Sequence, residues 1–160
     1  MSLSELLAEI DASPGCAVLP AAGLPVVGEG HTLPNDLKQF YELCGGVNLF
    51  KDSEYSISIV PPQEFTPANP VIIGGQDESD ISASWYIVGS SGGTEYLTID
   101  LSRERLGRCY DSFVDRHGVA GSCPIIATSF TELLTRLFLN NGKYWYWLRD
   151  DFQHVGDAYD

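Results

Sequence analysis

The chain has 160 residues, the length of one domain with a core of its own. Hydrophobic residues make up 44% and aromatics 11%, which excludes a disordered chain. Acidic residues outnumber basic ones 22 to 9, and the formal charge of −13 excludes nucleic-acid phosphates and anionic membrane surfaces as partners.

No apolar run approaches the roughly 20 residues of a membrane span. Met1–Ile10 lacks the basic start of a secretory signal and carries Glu5 and Glu9. The four cysteines (Cys16, Cys44, Cys109 and Cys123) show no paired spacing. The expected location is therefore the cytoplasm, with the thiols free and buried as small hydrophobes.

Leu3, Leu6, Leu7 and Ile10 form one helical stripe, and Ser2 with Glu5 forms a capping box. Residues 13–30, rich in proline and glycine, read as a loop or irregular extended segment. A second helix follows from Leu33, Leu37, Phe40, Tyr41 and Cys44, with Pro34 in its first turn and Asp36 near its positive end. Gly45 and Gly46 are expected to stop it through a left-handed cap. The period then changes to two: Tyr55, Ile57 and Ile59 predict a strand. Val71–Ile73 is a short apolar run, and 76–80 an acidic loop. Trp85–Val88 and Glu95–Leu101 predict two strands, with 89–93 as the hairpin turn. Gly107–Phe113 predicts a third, which gives an antiparallel meander. Ser129 and Glu132 open a last helix whose apolar face is Phe130, Leu133, Leu134, Leu137 and Phe138. One α+β domain over 1–160 results, an antiparallel or mixed central sheet flanked by N-terminal and C-terminal helices. Its predicted core between sheet and last helix is Trp85, Leu97, Ile99, Leu133, Leu137 and Phe138.

Chemistry is sparse. The glycine-rich turn 89–93 lacks the Gly-Lys-Ser/Thr of a phosphate loop and is followed by Glu95. Cys109, His117 and Asp115 could be named as a nucleophile set, but Cys109 sits in a strand pattern that buries it. Asp150 and Asp151 are adjacent and solvent-facing rather than an acid/base pair. Asp77, Glu78 and Asp80 lack calcium-loop spacing, and the three histidines are scattered, so no metal and no cofactor is expected. The aromatic run Tyr144-Trp145-Tyr146-Trp147 either packs the core or anchors a partner. The residues point to a non-catalytic protein-binding module.

The segment Leu33-Pro34-Asn35-Asp36-Leu37-Lys38-Gln39-Phe40-Tyr41 with Gly45-Gly46 resembles the signature of the SUKH superfamily, the yeast cell-wall-assembly-regulator-like family. Trp85–Val88, Gly92-Gly93, Glu95–Asp100, Ser129–Leu134 and the ending 146–159 extend the resemblance in order over 30–160. Cys44 stands where an Asn typically precedes the glycine pair, and 11–30 is longer than usual. The resemblance implies an α+β fold and, for many bacterial members, an immunity protein that neutralises a cognate toxin, some of them nucleases. A regulatory or scaffolding module unrelated to toxins is the alternative. The acidic charge suits a basic toxin domain as the protein partner. Its candidate contacts are Asp77, Glu78 and Asp80 in the acidic loop, and Tyr144 and Trp147 in the tail. The oligomeric state is left open.

Overall fold

The apolar stripe of the N-terminus folds as helix α1, Leu3–Asp11, with the Ser2–Glu5 capping box formed and Leu3, Leu6, Leu7 and Ile10 buried. It opens a computed structural model that describes residues 1–160. Seven strands follow in chain order: β1 Ala17–Val18, β2 Val47–Leu49, β3 Ile57–Ile59, β4 Trp85–Ser90, β5 Tyr96–Asp100, β6 Cys109–Asp111 and β7 Ile125–Ala127. Each pairs antiparallel with the next, so the sheet order is the sequence order. The meander is as expected. The short edge strands β1 and β7, and β2, carried too few alternating residues to stand out in the sequence.

Helices α2 (Asn35–Leu43) and α4 (Phe130–Leu139) join α1 on one face of the sheet, where they meet Leu97, Ile99 and Cys109 in the main core. Asp36 does more than complement the α2 dipole. Its Oδ2 accepts from the Thr131 amide and the Thr131 hydroxyl, both at 2.9 Å, and so ties the start of α4 to the start of α2. Helix α2 does not end in a left-handed glycine cap. The chain leaves through an extended Cys44 (φ −155°). Gly45 is needed for close approach instead: a Cβ there would lie 2.2 Å from the Pro20 carbonyl oxygen.

Residues 68–72 form a short helix, α3, Ala68–Ile72, which leaves Val71 and Ile73 exposed. The predicted core needs two changes. Leu97, Ile99, Leu133 and Leu137 are buried between sheet and α4, whereas Phe138 is only half-buried and stacks on Phe50. Trp85 lies on the opposite face, in a second cluster with Tyr110, Cys123, Ile125 and Ala158. Strand periodicity explains the split: Trp85 pairs with Asp100, on the side away from Leu97 and Ile99.

Candidate protein-binding surface

The acidic loop divides into two kinds of residue. Asp77 and Glu78 are exposed. Asp77 closes its own turn by accepting from the Ser79 amide and hydroxyl. Asp80 is half-buried, and its carboxylate is engaged within the fold. It caps a short 3₁₀ turn through the Ser82 amide and accepts from the Tyr159 hydroxyl at 2.7 Å. Burial acts to raise its pKa, but the hydrogen bonds from Ser82 and Tyr159 outweigh it and hold the carboxyl below its ordinary range.

Three members of the aromatic run turn inward. Trp145, Tyr146 and Trp147 are buried, and only Tyr144 stays exposed, edge-on to Tyr55. Trp147 is 1% exposed and donates its indole N–H to Asp111 at 2.8 Å, so it offers no surface to a partner. A partner anchor there would need to be outside the core, and packing against Phe113 and Trp145 prevents that.

Two buried carboxylates organise the sheet. Asp100 accepts from Ser84 Oγ, Trp85 Nε1, the Ser102 amide, Arg105 Nε and the Tyr110 hydroxyl. Asp111 accepts from the Phe113 amide, Arg116 and Trp147. Burial raises the Asp111 pKa despite these donors. Every buried acid therefore serves the fold. The alternation rule could have flagged Asp100, which shares the Thr98 face of β5.

The residues named as a possible nucleophile set do not form a functional unit. Cys109 is buried in the main core, its thiol directed at the Gly107 and Ser129 carbonyls, and burial pushes it well above the ordinary thiol range. His117 lies in the other cluster, edge-on to Trp85, with Nε2 2.6 Å from Asn69 Oδ1. Asn69 donates its amide to Gln76 and Ser82, so its oxygen is the acceptor and His117 Nε2 carries the proton. Nδ1 is buried without a partner. Burial lowers the His117 pKa to about 4, with Asp80 pulling the other way. Asp115 and Asp151 are exposed. No three His, Cys, Asp or Glu side chains converge as metal ligands, and no helix is long and apolar enough to cross a membrane.

The surface charge is unevenly placed. Residues 1–37 and 52–102 contain no lysine or arginine, and the second stretch carries eight acidic residues. All basic side chains come from Lys38, Lys51 and the part of the chain from Arg103 onward. The β4–β5 hairpin, α3 and the segments around Pro20–Val27 and Pro61–Thr66 thus supply Glu64 and Glu95 and no lysine or arginine, so this face is weakly anionic.

Residues 29–136 match the SMI1 / KNR4 family (SUKH-1). The chain belongs to this family. The SUKH-1 match runs from just before α2 into α4, so it contains β2 to β7 and both buried carboxylates. Helix α1, β1 and the aromatic tail lie outside it. The chain is also similar along its whole length to a protein named Immunity protein YokJ from Bacillus subtilis (strain 168). The two are 53% identical over 160 residues, which is 100% of this chain and 97% of the relative. No solved structure matches.

Proposed function

We propose that this SUKH-1 chain is an immunity protein that neutralises a cognate toxin by binding it non-covalently, without catalysis, in the cytoplasm. The observation that carries this reading is the 53% identity to Immunity protein YokJ across essentially the full length of both chains. Identity over the whole chain, including segments outside the family match, favours this role over an unrelated scaffold.

The toxin is basic. The anionic face and the charge of −13 support that polarity, because complementary potentials steer encounter and reject like-charged partners. Asp77 and Glu78, exposed and free of basic neighbours in sequence, contribute to this steering. Asp80 contributes to the fold instead. Co-expression with the toxic domain of an effector encoded beside this gene tests the reading: growth is restored only when the chain is present, and the two proteins co-purify. Continued killing in the presence of well-folded chain would overturn it.

A further inference from the structure

Residues 20–27 are held at both ends and bonded to nothing between. At one end Leu19 exchanges main-chain hydrogen bonds with the Gly45–Gly46 strand entry, and the Pro20 carbonyl packs on Gly45. At the other end the Tyr86 hydroxyl, rising from β4, accepts from the Gly28 amide at 2.8 Å and lies 2.8 Å from His31 Nδ1. Between these pins, residues 20–27 make no hydrogen bond within the protein, main chain or side chain. Pro25 is buried, while Leu24 and Val26 on either side of it are 43% and 89% exposed. Pro20 and Pro25 restrict the backbone, so this presentation loses little entropy when something binds.

The segment borders a groove. One part, of about 320 Å³, is formed by Leu24, Val26, Gln63 and Thr66 with their neighbours. A second part, of about 380 Å³, shares Gln63 and Thr66 and continues past Val71 to Tyr96 at the β4–β5 hairpin. The two parts adjoin at Gln63 and Thr66, with an apolar lining toward Leu24 and Val26, a more polar one toward Ser90 and Gly93, and exposed apolar Val26 and Val71 at the rims. The groove's only charged lining residue is Glu64. Exposed Leu43 sits in a smaller groove with Asp11, whereas the groove at Phe138 and Leu139 includes Lys143, and Leu139 also borders Arg136 and Arg149. A basic partner is repelled there and attracted here.

Resting on the immunity reading, we propose that this groove is the toxin-docking face. It receives a basic surface of the toxin that inserts an apolar side chain between Val26 and Val71, with the free main-chain groups of 21–27 available as hydrogen-bond partners. This segment lies outside the family match, at 29–136, yet within the similarity to Immunity protein YokJ.

The test uses the inactivated toxic domain of the effector encoded beside this gene, titrated against the full chain by calorimetry. Val26→Lys and Val71→Lys, both at exposed positions, should each raise Kd by about 30-fold or more, as loss of a central anchor does. Leu139→Lys and Val155→Lys, away from the groove and both at exposed positions, should change Kd less than about threefold, within the range of most contact-neutral substitutions. Unchanged thermal midpoints confirm that all four variants are folded. Tight binding by the wild type and by both groove variants would overturn the docking face and leave the immunity reading standing. Loss confined to Leu139→Lys or Val155→Lys would do the same and move the interface to the C-terminal part of the chain. No binding by the wild type would overturn the immunity reading and this face with it.

Discussion

Asp36 shows how one side chain can serve two helices. Its Oδ1 accepts from the Leu37 amide and its Oδ2 from Thr131, 95 residues away. Asp36→Ala leaves the α4 amide and hydroxyl without that acceptor and should cost about 1–2 kcal/mol, the range of a lost helix cap. Asp36→Asn keeps an acceptor and should cost less; urea unfolding of the two variants checks the order. His117 makes stability depend on pH. Its folded pKa, about 4, lies below the ordinary value of 6.5, so the neutral form is the one the fold accommodates. Its stabilising share is full above pH 6.5 and is lost as pH falls through 6.5 towards 4. The loss is on the order of 3 kcal/mol for a shift of this size. Asp80 has a lowered pKa, so its share is lost only below the ordinary carboxylate value. Asp111 has a raised one and acts in the opposite sense, destabilising as pH rises through its folded value. His117→Gln retains a donor for Asn69 and removes the titration. Unfolding midpoints at pH 7 and pH 4.5 should therefore converge in the variant. An undiminished pH effect would assign it to the carboxylates.

At the level of elements, α4 is held by its buried stripe and α2 by the close approach at its exit. Leu137 is 3% exposed in the main core, so Leu137→Ala should cost about 2–5 kcal/mol in chemical denaturation. A loss under about 1 kcal/mol would show that the site collapses around the smaller side chain. Gly45→Ala would place a methyl group 2.2 Å from the Pro20 carbonyl, backbone against side chain. The strand entry or residues 19–22 must then shift, at a cost of about 1–3 kcal/mol. That substitution should also displace the segment proposed to meet the toxin, so affinity and thermal midpoint should fall together. The sheet edges are protected in different ways. Strand β1 has only two residues, and β7 is flanked by the tail, where the Ile125 amide donates to the Gly156 carbonyl and the Ala158 amide to that of Cys123.

The whole molecule separates its charges: cations from Lys38, Lys51 and the later part of the chain, anions without cations over 52–102. Rim charges act on encounter more than on residence. Asp77→Asn with Glu78→Gln should lower the association rate with the toxin and flatten its salt dependence, with dissociation nearly unchanged. Stopped-flow association across a salt series measures both. Asp80→Asn should behave differently: it weakens the Ser82 and Tyr159 bonds and lowers the thermal midpoint. A salt slope unaffected by the double substitution would place the steering charges elsewhere on the anionic face.

Much of the architecture was readable before any tertiary contact. Helical stripes with their caps located α1, α2 and α4, and alternation with glycine turns located β3 to β6, because these patterns depend on neighbours within a few residues. The acidic balance was legible for the same reason, since net charge is a sum over residues. The roles of single polar and aromatic residues were not local properties. Asp80 reads in sequence as part of an exposed acidic loop, and Trp147 as either a core residue or a partner anchor. Each is taken inward by a partner far along the chain, Tyr159 and Asp111. Gly45 reads as a helix stop, but the approach of Pro20 is what requires it. Residues 20–27 read as an irregular loop, and only the folded chain pins its ends, through Leu19 on Gly45–Gly46 and through the Tyr86 hydroxyl on the Gly28 amide. Periodicity determines which elements form and which face is buried. Only the folded chain decides which polar groups satisfy one another and which surface is left for a partner, because those pairings join residues that the sequence keeps apart.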